Sequence, residues 1–201
     1  YLLSKKQEEQ SGQKVLSLIK KYKITAIAIG NGTASKESAS FISELKDNNN
    51  LDINYAVVSE IGASVYSASK IAQEEYPNLD VTIRGAISIA QRLRDPMSAL
   101  VKINPKSLGV GQYQHDVNQK DLESKLNSTT FNLVNKVGVD LNSASAKLLS
   151  FISGISEKMA ANIIEYKNNI GGFKSKSQLL KVKGIGAKAY EQRDRKSTRL
   201  N

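Results

Sequence analysis

The spacing of apolar residues divides this chain into two halves of different character. In the first, Leu16, Ile19 and Lys20 lie on neighbouring faces of a helix that ends near Lys23. Ile24-Thr25-Ala26-Ile27-Ala28-Ile29 comes next as a nearly continuous apolar run, the pattern of a strand buried in a parallel sheet. Gly30-Asn31-Gly32-Thr33 reads as a loop and Ser35 as the cap of a helix reaching Leu45. Asp47-Asn48-Asn49-Asn50 is a surface turn, and Tyr55-Ala56-Val57-Val58 is a second strand ending at Ser59-Glu60. A helix is expected from about Val65 to Glu75. The short segment Val81 to Ile83 leads into another from about Gly85 to Leu93, which Asp95-Pro96 stops. Strands alternating with helices over short connections predict an α/β layer, in a half too short to complete such a domain.

Beyond Asp116 the spacing is helical. Val117, Leu122, Leu126, Leu133, Val134 and Val137 suit one amphipathic helix bounded by Gly138, with its apolar face packed under two hairpins. Those hairpins are short helix–turn–helix units in tandem. In the first, Leu148, Leu149, Phe151 and Ile152 form an apolar face and Ser153-Gly154-Ile155 makes the turn. Ser156 caps a helix carrying Met159, Ile163, Ile164 and Tyr166. In the second, Leu179, Leu180 and Val182 precede Lys183-Gly184-Ile185-Gly186, and Ala187 to Gln192 begins the next helix. Gly184 can end a helix with positive φ, which is costly for any residue with a Cβ. Gly186 lets a bulky group approach where the following helix exposes unpaired N–H groups. Lys183 and Lys188 flank that place, so an anion there meets amide donors and positive charge together. The natural anion is a nucleic-acid phosphate. The alternative for each turn is an αα-hairpin with a glycine stop and no ligand. It weighs more for the first unit, which has one glycine where the second has two.

Composition narrows the chemistry. The chain of 201 residues has no cysteine, which removes disulfides, thiolate metal sites and cysteine nucleophiles. A single histidine, His115, argues against a histidine-rich metal site or a serine triad. No apolar run approaches the roughly 20 residues that span a bilayer, and no signal peptide opens the chain. No membrane partner is expected, and a cytoplasmic setting is the default. The formal charge is +10, and lysines outnumber glutamates eight to three between Leu141 and Gln192. The positive excess is therefore densest around the two turns, as a nucleic-acid footprint requires. The last eight residues, Asp194-Arg195-Lys196-Ser197-Thr198-Arg199-Leu200-Asn201, are what read-through into a sequencing adapter would encode. They are set aside from the fold as a non-native tail. The chain opens on Tyr1 rather than methionine and is expected to be cut from something longer.

Several stretches together carry a resemblance: AIAIGNGTASKES, VSEIGASVYSAS, IRGAISIAQRLRDP, LVKINPKSLGVGQYQHDVNQK, and the pair ISGISEKMAANII and LLKVKGIGAKAYEQ. They resemble the bacterial Tex family of transcription accessory proteins over nearly all of Tyr1 to Gln192. In that family a YqgF/RuvC-like domain of ribonuclease H type precedes a helix-hairpin-helix pair, and an S1 domain comes after it. The resemblance implies an internal fragment with a partial ribonuclease H-like α/β domain over 1–103, lacking its first strands. A connector over 104–117 and an all-α tandem helix-hairpin-helix domain over 118–193 complete it.

The same resemblance raises the question of a nuclease. Ribonuclease H-like nucleases hold divalent ions on several carboxylates to activate water. Their first essential aspartate lies on a strand this chain does not contain. Glu60, at a strand end, is the one well-placed candidate. Arg84 opens the helix where resolvases carry a final acid, and a guanidinium repels a metal ion. Asp95 is read as a cap before Pro96. Tyr113 and His115, in the connector, are candidates for stacking on a base, or for local packing.

The expectation is a non-enzymatic protein without metal or cofactor that binds the DNA or RNA backbone independently of sequence. Its contacts are placed at Gly154, Ile155, Ser156, Gly184, Ile185 and Gly186, with charge from Lys158, Lys183 and Lys188. Transcription machinery is a further expected partner. The competing readings are a metal-dependent, Holliday-junction resolvase-like nuclease fragment using Glu60, and a pair of protein-docking domains.

Overall fold

In a computed structural model, residues 5–109, 111–186 and 198–199 are described. The chain forms two compact units, Tyr1–Arg94 and Asp95–Asn201. The first is mixed α/β and the second is mostly helical.

The first unit opens with α1 (Lys5–Tyr22), which leads into β1 (Ala26–Gly30). Helix α2 (Ser35–Asn48) carries the chain to β2 (Asn54–Val58). β1 and β2 pair in parallel, with Ala26 opposite Asn54 and Gly30 opposite Val58. Both expected strands are present, but the first starts at Ala26 rather than Ile24 and only Ile29 of it is buried. Ile29 and Ile42 are buried, while Tyr55 and Val57 of β2 remain exposed. Three further local details depart from the sequence expectation. Ser35 does not cap α2: the cap position is Ala34, without a side-chain hydrogen bond, and Ser35 donates its own amide to the Gly32 carbonyl at 3.1 Å.

The helix expected over 65–75 is two, α3 (Ala63–Ser67) and α4 (Lys70–Glu75). Ser69 separates them, because its hydroxyl accepts from the Ala72 amide at 3.2 Å and its backbone is extended. A local cap of this kind competes with helix continuation. Finally, Val81–Ile83 is not a separate segment but the first turn of α5 (Val81–Arg94). Asp80 accepts from the Ile83 amide at 2.9 Å, and this capping overrides the β preference of the Val-Thr-Ile run.

α5 packs on both strands and presents Arg84, Ser88 and Arg92 as its buried stripe. The spacing of four and eight residues puts them on one face. Tyr66 lies beneath this region, only 1% exposed, with its hydroxyl donating to Glu75.

The second unit begins where α5 ends. Asp95 is the N-cap of α6 (Pro96–Leu100), with Pro96 in the first turn. The cap expected of Asp95 is thus present. Asp95 Oδ1 accepts from the Ser98 amide at 3.0 Å and Oδ2 from the Ser143 hydroxyl at 2.8 Å. Residues 95–103, grouped with the α/β half in the sequence reading, therefore belong to the second unit. Met97 and Val101 pack against its core.

A 3-10 turn over Pro105–Leu108 precedes α7 (Gln119–Val137), which Gly138 ends at φ 83°. Of the expected apolar face of α7 only Val134 is fully buried; Leu133 and Val137 are about half exposed. The unit continues with β3 (Val139–Asp140), α8 (Ala146–Leu149) and α9 (Glu157–Ile170). A 3-10 helix over Lys176–Lys181 comes next. β4 (Thr198–Arg199), within the eight-residue tail, pairs in parallel with β3. Leu141, Leu148, Leu149 and Ile163, all 0% exposed, form the centre of the core with Val134, Phe173 and Leu179. No described helix is long and apolar enough to cross a membrane.

Candidate nucleic-acid interface

Two glycine corners follow short helical segments of the second unit, and over the described residues their turns share one architecture. After α8 the chain turns at Gly154, whose φ is +80°. Ile155 is buried, and its amide donates to the Ile152 carbonyl at 3.0 Å. Ser156 is extended, and its hydroxyl accepts from the Met159 amide at 3.3 Å, the cap expected of it. The second corner repeats the sequence of events. Gly184 has φ +89°. Ile185 is buried, and its amide donates to the Val182 carbonyl at 3.1 Å. In both corners the flanking residues are exposed and the isoleucine points inward. Each isoleucine fastens its loop to the core, leaving Gly154, Ser156, Gly184 and Gly186 outside.

This geometry corrects the roles of Ile155 and Ile185. Their N–H groups are taken up inside the turns, so neither amide is a donor to a ligand. The donors that remain at the first corner belong to the opening turn of α9. There the amides of Glu157 and Lys158 have no intrahelical acceptor. The positive end of the helix dipole adds to them, and the Glu157 carboxylate offsets part of that field. Lys158 and Lys183 are exposed at their corners. Lys188, and the helix expected over Ala187–Gln192, lie outside the described residues.

Two asparagines that the sequence reading did not single out hold the corners. Asn135, on α7, accepts at Oδ1 from the Ser153 amide at 3.0 Å and from its hydroxyl at 3.1 Å. Its Nδ2 donates to the Phe151 carbonyl at 2.8 Å. Asn162, on α9, donates to the Lys183 carbonyl at 2.8 Å. A Cβ placed on Gly184 would meet Met159 Cγ at 3.8 Å and Asn162 Nδ2 at 3.9 Å. The second corner thus rests on the helix that begins at the first. Ser156 and Asn162 are six residues apart, about 9 Å along a helix axis. The only trace of these roles in the sequence is a polar residue beside a core position, Val134-Asn135 and Asn162-Ile163. An exposed helix residue gives the same trace.

Lys167, counted in the sequence within the basic excess, is partly tied down: its ammonium donates to the carbonyls of Asn142 and Ala144 at 3.3 and 3.2 Å. Tyr113 is 68% exposed, and His115 is exposed in the turn after it. The structure does not place either against the corners.

Glu60 lies at the carboxyl ends of the parallel strands. Its amide donates to Asn31 Oδ1 at 3.0 Å, and a Cβ at Gly30 or Gly32 would collide with its carboxylate. Arg92 is buried nearby and donates from Nη1 to the Ser59 carbonyl. Burial lowers the pKa of its guanidinium, and the charge of Glu60 acts in the opposite direction. Among the described residues Arg92 Nε and Nη2 have no hydrogen-bond partner. Arg84, expected to oppose a metal ion here, is engaged elsewhere. It donates from Nε to the Tyr76 carbonyl at 3.1 Å and from Nη2 to the Pro77 carbonyl at 3.4 Å. The cation beside Glu60 is therefore Arg92, two helical turns further along α5. No group of three or more His, Asp or Glu side chains that could share a metal ion occurs among the described residues.

A parallel α/β unit followed by paired glycine corners on a helical core defines a ribonuclease H-like fold joined to a helix-hairpin-helix module. Residues 1–94 match the Tex protein YqgF-like domain, and residues 134–196 match the helix-hairpin-helix motif. The chain is 52% identical over 176 residues to the transcriptional accessory protein Tex of Neisseria gonorrhoeae, an alignment covering 87% of this chain and 23% of that protein. Protein YhgF of Escherichia coli is 49% identical over 187 residues, covering 92% of this chain and 24% of the relative. S1 RNA-binding domain-containing protein 1 of Homo sapiens is 44% identical over 186 residues, covering 91% and 19%. The chain belongs to the Tex family, and it spans about a quarter of the length of its bacterial relatives.

Proposed function

We propose that this chain binds the backbone of DNA or RNA without reading its bases, and that it does so without catalysis. The observation that carries the reading is the matched pair of corners. Each has an exposed positive-φ glycine, a buried isoleucine and an exposed lysine close by, and both rest on the N-terminal turns of α9. Amide donors, helix dipole and lysine charge converge there as phosphate recognition demands. The helix-hairpin-helix match and the naming of a relative as a transcriptional accessory protein support nucleic acid as the partner. Transcription machinery as a second partner, and a cytoplasmic setting, are inferred from the same family membership.

The test is a salt titration of binding to mixed-sequence DNA and RNA. Phosphate contacts release counterions, so affinity falls steeply as salt rises. The double variant Gly184→Glu/Gly186→Glu places two carboxylates where the phosphate would sit, and it should abolish the salt-sensitive component. Binding equal to the parent across the titration would overturn the reading. The non-catalytic part is supported by Arg92, whose guanidinium occupies the neighbourhood of Glu60. Incubation with magnesium and branched or linear DNA should leave the nucleic acid intact. Cleavage that disappears in Glu60→Gln would instead establish the nuclease reading.

A further inference from the structure

Asn162 lies beside the apolar core rather than in it, yet its side chain reaches across to the other hairpin. We infer that Asn162 is a positioning residue: by holding the Lys183 carbonyl it turns the Gly184 N–H outward as a phosphate donor. This rests on the nucleic-acid reading above and names the device that sets the second corner for it.

The peptide between Lys183 and Gly184 is planar and trans, so its C=O and N–H point in opposite directions. The carbonyl is drawn onto Asn162 Nδ2 at 2.8 Å. The Gly184 N–H consequently points away from Asn162, and Gly184 itself is exposed. Glycine permits the positive φ of +89° found there, but it also permits rotation of the same peptide into other orientations. One hydrogen bond from a helix side chain removes that freedom before a ligand arrives, which is preorganisation.

The neighbouring constraints agree with this role. The Ile185 amide is fixed to the Val182 carbonyl at 3.1 Å, so the loop is held on the far side of Gly184 as well. Met159 lies against the glycine, at 3.8 Å from a Cβ position there. Because α9 starts at the first corner, Asn162 also sets the distance between the Gly184 donor and the amides of Glu157 and Lys158. The two corners then act on one sugar–phosphate chain as a fixed pair.

The experiment uses the 201-residue chain labelled with nitrogen-15. It is titrated with a duplex of about 20 base pairs of mixed-sequence DNA and with a single-stranded RNA of the same length, enough to cover several phosphates. In the parent, the Gly184 amide resonance shifts on binding. Asn162→Leu and Asn162→Ala lose that shift and bind about 5- to 10-fold more weakly at every salt concentration, with the log–log salt slope unchanged, because a neutral N–H donor releases no counterion. Asn162→Gln, which retains an amide donor, recovers part of the affinity and the shift. Amide resonances of the core residues Leu141 and Leu148 stay in place in every variant, which separates positioning from loss of fold. Parent-like affinity, with the Gly184 shift retained, in Asn162→Leu and Asn162→Ala would overturn the inference while leaving the nucleic-acid reading intact. A parent that binds neither probe overturns both.

Discussion

The two glycines of the second corner are predicted to fail in opposite ways when each is replaced by alanine. Gly184 has φ +89°, in the left-handed region, and an added Cβ would sit 3.8 Å from Met159 Cγ and 3.9 Å from Asn162 Nδ2. Those distances are ordinary van der Waals contact, so crowding contributes little. The cost comes from the backbone, at about 1–2 kcal/mol for an L-residue held in that region. Gly186 is different. No positive φ is found there, and a Cβ would meet nothing within 4 Å among the described residues. Gly186→Ala should therefore change stability by no more than about 0.5 kcal/mol.

Binding should show the reverse order of specificity. A methyl group at Gly186 stands where a phosphate must approach the backbone. Loss of one charge-assisted hydrogen bond is worth roughly 1.5–3 kcal/mol, at least tenfold in affinity. Urea unfolding followed by circular dichroism gives the first quantity, and fluorescence anisotropy with labelled duplex gives the second. Gly186→Ala should be folded and weak in binding, whereas Gly184→Ala should be measurably less stable. If Gly186→Ala were as destabilised as Gly184→Ala, or bound as tightly as the parent, the assignment of Gly186 to ligand approach would be wrong.

Other variants test neighbouring parts of the structure. Glu157→Gln removes the one carboxylate in the first turn of α9, and should tighten nucleic-acid binding about 2- to 5-fold at low salt, by the roughly 0.3–1 kcal/mol typical of a charge at a helix terminus. The gain should fade as salt is raised. Ile163→Ala, at a 0% exposed core position, should cost roughly 2–5 kcal/mol and lower the urea midpoint of the second unit. Burial, then the bond to Glu75, holds the Tyr66 phenol above its ordinary value of 10.0. The unfolded chain therefore loses this proton first. Stability is retained below pH 10.0 and falls at up to about 1.4 kcal/mol per pH unit above it. Tyr66→Phe should flatten that alkaline loss in pH-dependent unfolding. Arg92→Met should destabilise less than Arg84→Met. Arg84 has two carbonyl partners, whereas Arg92 keeps two buried nitrogens unpartnered among the described residues. A buried donor without an acceptor is a penalty that substitution relieves. Thermal melts of the two variants give the comparison.

Much of the architecture was legible along the chain because it is local. The apolar run before Gly30 and the spacing in α9 report which backbone conformation can bury those side chains, while the spacing in α7 marks the helix but not its burial, since only Val134 of that face is buried. Ser156 and Asp95 signal helix starts through bonds spanning three residues. The alternation of glycine, isoleucine and glycine at Gly184–Gly186 marks a corner, since the positive φ of Gly184 is one that only glycine readily adopts. Where local signals compete, the capping bond outweighs composition and spacing. The Val81–Ile83 run has the composition of a strand, but Asp80 starts a helix there. Ser69 splits a helix that hydrophobic spacing alone would continue.

Other features depended on residues far apart in sequence, and no local pattern encodes them. That Ile155 and Ile185 anchor the corners rather than donate to a ligand depends on which side of each turn meets the core. That Arg92, and not Arg84, lies beside Glu60 depends on the packing of α5 against the ends of β1 and β2. Asn135 and Asn162 read as ordinary polar helix positions, and their roles exist only because Ser153 and Lys183, 18 and 21 residues away, fold back against them. Sequence by itself determined the helices, strands and glycine corners, since each is settled by neighbours within a turn or two. Tertiary structure decided which backbone groups are already used and which remain for a phosphate, because hydrogen bonds between distant segments divide them.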